Sequence, residues 1–293
     1  MSYTKFRTVL ASSDSDRRDS KRVQKVVLLS VLGVCALIVS LPTLWMLSSS
    51  FKSNTEIFAL PPKIVGDTFS LDAYIAVLSD AQNLRFLFNS YFVAACVTVL
   101  TVGVSVMAAY ALSRYRFGLS RPLMVSMIGT QAIPPIALVI PYFSLIVAIG
   151  LYDSYIGLIL THLVFTLPYA VVMMTAYFNT VPVELDEAVR MDGGGPFRTL
   201  FQVIFPIAVP GVVAVAAYTF TISWNEYLFA LTVTKTTEML TVPVGLSMLI
   251  GQNSQNWDQL LGLSVLGSIP IMIVFAVFQK WFISGLASGA VKA

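Results

Sequence analysis

Six long stretches of this chain contain no Asp, Glu, Lys or Arg: 26–51, 86–113, 122–152, 154–183, 199–225 and 259–279. Each reaches the roughly 20 mostly apolar residues that a helix needs to cross a bilayer. The spacing predicts helices near Val26–Leu47, Asn89–Leu112, Leu123–Ile149, Ile156–Phe178, Val203–Trp224 and Leu261–Phe282. The interval 239–257 is also uncharged, but its apolar part, Met239–Ile250, is short and runs into Gln252, Asn253, Gln255 and Asn256. It is expected to lie at the interface or tuck against protein. Only 11% of the 293 residues are charged, against about 25% in soluble chains. The expected fold class is therefore all-α, a polytopic membrane protein with six transmembrane helices.

Six spans place both termini on one side, and Lys and Arg decide which. With the N-terminus inside, the cytoplasmic segments hold 14 of the basic residues and the outer segments hold 4, namely Lys52, Lys63, Arg85 and Lys235. Both termini are thus expected in the cytoplasm. The first span is too long for a cleavable signal peptide. The mixed-charge segment SSDSDRRDS before Lys21 is expected to be mobile. This divides the chain into a cytoplasmic N-terminal tail (1–25), a transmembrane domain (26–282) and a cytoplasmic C-terminal tail (283–293). Cys35 and Cys96 fall in apolar runs and read as packing residues.

The cytoplasmic segment 181–206 between the fourth and fifth spans reads VPVELDEAVRMDGGGPFRTLFQVIFP. Pro182 suits a first helical turn, and Glu184, Asp186 and Glu187 favour a helix N-terminus. Leu185, Ala188 and Val189 share one apolar face by their spacing, with the acids largely beside it. Gly193, Gly194 and Gly195 end the helix in a tight turn, and Pro196 starts a second short helix. An amphipathic helix resting on headgroups is the plainer reading of such a segment. Its acidity and its triple glycine argue against that.

Glu187-Ala188-Val189, then Gly193, then Val203-Ile204-Phe205-Pro206 resembles the EAA loop of bacterial ATP-binding-cassette importer permeases. That loop is written E-A-A, three residues, G, nine residues, I, one residue, L-P, and the spacing here matches throughout. Other landmarks look like carbohydrate permeases of the MalG type: Ser50-Phe51-Lys52, Asn89-Ser90, Ala109 through Arg114, Trp224-Asn225-Glu226, and Gln279 followed by Gly285 through Lys292. The resemblance implies a type I importer permease fold in a bacterial inner membrane. It implies a coupling helix, carried by Glu184, Leu185, Glu187, Ala188, Val189, Asp192 and Gly193, that docks in a cytoplasmic ATPase. It also implies a C-terminal tail, with Gly289, Ala290, Val291 and Lys292, reaching between two ATPase subunits. The partners implied are a second, homologous permease, a homodimeric ATPase and an extracytoplasmic solute-binding protein, in contact with membrane lipid and with no nucleic acid.

The chain has no Gly-Lys dipeptide and hence no phosphate-binding loop. ATP and Mg are expected on the partner ATPase, with no cofactor, metal site or catalytic set on this chain. The lone histidine, His162, lies within the fourth span, unpaired in sequence. It either lines the solute path or packs structurally. Asn225 and Glu226 follow the fifth span near the outer interface, where Glu226 would bond a hydroxylated solute, form part of a gate, or face water. Pro134, Pro135 and Pro141 are expected to interrupt the third span, Pro168 the fourth, Pro206 and Pro210 the fifth, and Pro270 the sixth, curving the third to fifth around a central cavity. The same machine importing glycerol phosphate, a polyol or an oligosaccharide is the near alternative. An ion-coupled secondary transporter would normally carry intramembrane carboxylates, which the six stretches lack, and a membrane-embedded enzyme would need a catalytic set.

Overall fold

The computed structural model describes residues 3–252 and 257–290, with side chains described from 24 to 250 and from 257 to 279. The chain divides into two compact units, Met1–Ser70 and Leu71–Ala293. In the first, helix α1 (Tyr3–Ser49) contains the first span as Gln24–Ser49. The polar segment expected to be mobile is helical from Tyr3 on, since extending an existing helix costs far less than nucleating one. A short α2 (Asn54–Ile57) follows. The segment after it folds back: Ser70 N–H donates to Phe51 O at 2.9 Å and Phe51 stacks on Phe69. The Lys52 ammonium reaches Lys63 O at 2.6 Å and lies 4.7 Å from the centre of the Trp45 ring. A buried lysine is satisfied here by a carbonyl and a π face.

The second unit is built on α4. After α3 (Asp72–Ser79), the Asp80 carboxylate accepts the Gln82 N–H and starts α4 (Ala81–Arg114), a 34-residue helix without proline. Then come α5 (Ser120–Thr130), α6 (Pro135–Ala148) and α7 (Tyr155–Phe178), the last capped by Ser154 Oγ on Gly157 N–H. The loop helix α8 (Glu184–Met191) and the short α9 (Pro196–Arg198) lead through a π-helical turn, Thr199–Ile204, into α10 (Phe205–Trp224). Last are α11 (Leu228–Val233), α12 (Val242–Gln252) and α13 (Trp257–Ala290). Helix α4 packs on α7, α10 and α12. One apolar core lies toward its start (Phe86, Val93, Leu158, Leu240) and a second toward its end (Val106, Met174, Phe178, Ile204). Both cysteines are free; Cys35 is exposed and Cys96 half-buried, so only the second has the packing role expected of both.

Five of these helical stretches are long and apolar enough to cross a membrane. The predicted third span, Leu123–Ile149, is instead a bent pair: α5 and α6 meet at 106° across a short break. The pair makes the sixth span when counted as one. Neither half alone, at about 16 and 21 Å by the helical rise, spans the roughly 30 Å hydrocarbon layer. The cause is Pro134-Pro135. A residue before proline is driven out of the helical region, and Pro134 sits at φ −59°, ψ 127° while Pro135 opens α6. By contrast Pro141, Pro168, Pro210 and Pro270 are carried inside helices rather than interrupting them. The segment 239–250 is tucked against protein as expected, with Val242 and Val244 buried in the first core. Helix α13 continues through 283, where a tail boundary was expected.

The loop before α7 is tied to the segment after α11. Asp153, at φ 57°, donates its N–H to Val233 O at 2.9 Å, and its Oδ1 accepts from Lys235 N at 2.8 Å and Thr236 N at 3.1 Å. Burial pushes this carboxyl up, but the two backbone donors outweigh that and hold it below the usual carboxylate range. The tie is therefore complete at neutral pH and is lost as pH falls through the depressed value. Asp153→Ala is expected to accelerate amide hydrogen exchange at Lys235 and Thr236 at pH 7, and acidification of the wild type should lower the protection factors of the same two amides.

Candidate functional sites at the two ends of the bundle

Helices α7 and α10 run in opposite directions, so the loop that joins them (179–204) and the residues after α10 sit at opposite ends of the bundle. In the loop, α8 begins at Glu184, and Pro182 lies just before it rather than in its first turn. The apolar face predicted from spacing is divided. Leu185 is half-buried against the second core and Val189 is half-buried, whereas Ala188 is exposed. Glu184, Glu187, Asp192 and Gly193 are exposed as well, as are Val183, Met191 (88%) and Phe197 (73%). Gly193 closes α8 at φ 75°, a conformation that side chains rarely adopt, with nothing near its Cβ position. The neighbouring turn is held by Gly194 N–H on Val189 O at 2.8 Å. A Cβ on Gly194 would sit 2.4 Å from Val189 Cγ1.

Asp186 turns the opposite way from its acidic neighbours and is 1% exposed. Its Oδ2 accepts from Arg114 Nε at 2.9 Å and its Oδ1 from Tyr110 Oη at 2.8 Å. Arg114 also donates from Nη1 to Phe178 O at 3.2 Å and from Nη2 to Val181 O at 3.0 Å. One guanidinium thus holds α8, the end of α7 and the chain between them on α4. Removing one partner of such a pair leaves a bare buried charge and costs about 3–5 kcal/mol. Sequence reasoning counted Asp186 among the residues favouring a helix N-terminus and used Tyr110 and Arg114 only as marks of resemblance. Nothing in their 72-residue separation signals the pairing; an Arg closing a span was the one available hint.

At the other end, His162 of α7 is not unpaired. Its Nδ1 lies 2.8 Å from Ser223 Oγ of α10, and its Nε2 lies 3.3 Å from Glu226 Oε2, within ion-pair reach but not aligned for a hydrogen bond. Glu226 does not face water as one expectation had it: its side chain is 14% exposed. Its carboxylate accepts from Phe229 N and Ala230 N, both at 2.9 Å, and so caps α11. Burial pushes this carboxyl up, but contact with His162 and the two N–H donors outweigh it and leave it below the usual range. These groups border a cavity of about 170 Å³. Pro135 at the α5–α6 break, Phe165 and Thr166 of α7, Ile222 of α10 and Phe229 of α11 complete its wall. Residues of the third, fourth and fifth spans and of α11 line this cavity, the third through its break.

Asn225 bends back to donate to Thr221 O at 2.8 Å and remains exposed, outside that wall. Trp224 supplies the third element of the Trp-Asn-Glu run: its Nε1 donates to Gly267 O of α13 at 3.0 Å. Of the predicted tail contacts, Gly289 and Ala290 end α13, while Val291 and Lys292 lie outside the described residues. Among the described residues, no three His, Cys, Asp or Glu side chains gather as metal ligands.

Comparison with known proteins places this architecture. The chain is 35% identical to the trehalose transport system permease protein SugB of Mycobacterium tuberculosis, covering 86% of this chain and 92% of that one. It is 34% identical to the trehalose/maltose transport system permease protein MalG of Thermococcus litoralis, over 93% and 99%. Its structure is similar to a chain of a bacterial ABC transporter involved in import of the acidic polysaccharide alginate, at a TM-score of 0.77 and 25% identity, covering 90% and 98%. The family described as the binding-protein-dependent transport system inner membrane component matches residues 101–288, which include the bent pair, the loop 179–204 and the residues that line the cavity. This chain belongs to that family, as a membrane-spanning permease subunit of a binding-protein-dependent importer.

Proposed function

We propose that this chain is one of two permeases in an ATP-driven importer for a carbohydrate. The observation that carries the reading is the exposed face of the loop: Ala188 and Met191 stand out beside Glu184 and Glu187 on α8, whose opposite side is locked to the bundle, and Phe197 stands out on α9 beyond the glycine turn. Such a face suits a groove with an apolar floor and basic rim on a cytoplasmic ATPase, with Gly193 setting the turn that presents it. ATP and Mg belong to that ATPase, in two copies, and a second, homologous permease completes the path. An extracytoplasmic binding protein delivers solute at the end that carries His162 and Glu226, with both termini of this chain in the cytoplasm. The C-terminal end of α13, with Gly289 and Ala290, is the part taken to reach the ATPases. The trehalose named for both relatives supports the carbohydrate class.

At the delivery end, the cavity beside the His162–Glu226 pair is part of the solute path or its gate. Its aromatic walls, Phe165 and Phe229, and its charged rim fit a solute with apolar ring faces and hydroxyl edges.

The test is uptake by vesicles holding the purified complex, with binding protein outside and ATP inside, using radiolabelled trehalose and maltose as probes. Uptake that needs both ATP and the binding protein is expected; uptake by this chain alone without ATP would exclude the reading. Gly193→Val is expected to abolish uptake and weaken ATPase docking, because valine resists φ 75°. Gly193→Asn, which tolerates that region, should retain most of it. Unchanged uptake in Gly193→Val removes the loop from coupling. For the cavity, Glu226 holds its contacts while ionised and loses them as pH falls below its depressed value. Uptake should therefore decline on the acid side, and Glu226→Gln should lower uptake at pH 7 and flatten that decline.

A further inference from the structure

The α8 loop is joined to the rest of the bundle by three routes, and they differ in stiffness. Toward α10 it passes through the π turn, where Phe205 N–H reaches back to Leu200 O, and then meets Pro206. A π turn is a weak point in helical hydrogen bonding, and proline removes a further bond. Toward α7 it passes through the non-helical residues 179–183, which are held by Arg114 at Phe178 O and Val181 O, by local turn bonds and by burial of Val181 in the second core. The third route is the Asp186–Arg114–Tyr110 cluster into the end of α4, with both charged side chains nearly fully buried. Helix α4 is unbroken from there to its start, about 50 Å away by the helical rise.

The far end of α4 is gripped just as closely. Asn89 Nδ2 donates to Glu238 O and to Leu240 O, each at 2.8 Å, and Asn89 Oδ1 accepts from Tyr155 Oη at 2.6 Å. Ser90 Oγ accepts the Val242 N–H at 2.8 Å. These bonds fix the short connection from the 3-10 turn Thr237–Met239 to the start of α12, and the first residue of α7; that connection follows α11, whose N-terminus is capped by Glu226 at the cavity. We infer that α4 is the rod that carries displacement of the α8 loop across the membrane. On this reading Arg114, Asp186 and Tyr110 are positioning residues that make the input joint, and Asn89 and Ser90 make the output joint. The loop's covalent continuation into α10 is the compliant route. A bonded joint at each end of one stiff element can move both ends together, whereas a route through a π turn absorbs displacement locally.

The inference rests on the importer reading and is tested in the purified complex with its own ATPase and binding protein. Three quantities are read: recovery of the assembled complex, basal ATP hydrolysis, and its stimulation by binding protein loaded with maltose or trehalose. Arg114→Met with Asp186→Leu replaces the buried pair together, which avoids a lone buried charge but leaves Phe178 O and Val181 O without the guanidinium, so assembly is read first. The double variant should assemble with basal hydrolysis unchanged and lose about tenfold of its stimulation, within the usual range for coupling between sites. Asn89→Ala, at the opposite end, should give the same signature, and Tyr110→Phe a smaller loss. Gln202→Ala, on the exposed side of the π turn, should leave stimulation unchanged. Full stimulation in an assembled double variant overturns the inference. If that variant fails to assemble, full stimulation in both Asn89→Ala and Tyr110→Phe overturns it. A wild-type complex that binding protein does not stimulate would defeat the importer reading instead, a result distinct from either.

Discussion

A backbone inside a bilayer has no water to bond, so every N–H and C=O must be paired by the chain itself. Unbroken helix meets that demand along α4 and α7, and each departure from helix has to be repaired by a side chain. Several polar side chains of this protein are such repairs. Arg114 covers the carbonyls of Phe178 and Val181 where α7 ends, and Glu226 covers the first free amides of α11. Asn89 covers the carbonyls of Glu238 and Leu240, and Asp153 the amides of Lys235 and Thr236. The same residues are therefore both the stitching of the fold and its potential points of control.

The two ends of the bundle use this stitching differently. At the loop end, the Arg114 guanidinium donates to Asp186 and to two carbonyls, the Tyr110 hydroxyl donates to the same carboxylate, and the outward face of α8 is left free. At the cavity end, the pairing is incomplete: His162 Nε2 is buried beside Glu226 without a well-formed hydrogen bond. A saturated cluster resists rearrangement, because any alternative leaves a buried charge unpaired. An incompletely bonded imidazole and carboxylate have partners to gain from a polar solute or from a shift of α11. A stiff input and a responsive cavity suit a subunit that is moved by something outside the membrane.

The membrane class, the order of the spans and the Gly193 turn were legible in the residues, as was the uncharged segment 239–250 that does not cross. The third span was legible as interrupted but not as a 106° break, because Pro134-Pro135 states where a helix must stop and not what angle its successor takes. The expected effect of Pro168, Pro210 and Pro270 was overstated, since proline's missing bond is tolerated where neighbouring helices pack around it. The apolar face of α8 was read from helical spacing alone. Spacing cannot tell which side of a short helix a distant arginine will claim, and so Leu185 and Val189 were grouped with Ala188 although only Ala188 is exposed.

Local rules therefore settled what each segment is. Charge-free length made the spans, Lys and Arg placement set the expected orientation, and the E-A-V, G, V-I-F-P spacing marked the loop. Which buried groups meet was decided by tertiary structure. Asp186 with Arg114, His162 with Glu226 and Asn89 with Leu240 lie 72, 64 and 151 residues apart, and each pair exists only because packing on α4 and α7 brings distant turns together. The reason is physical: a hydrogen bond within a helix depends on neighbours a few residues away, whereas pairing between helices depends on which faces their apolar residues bury.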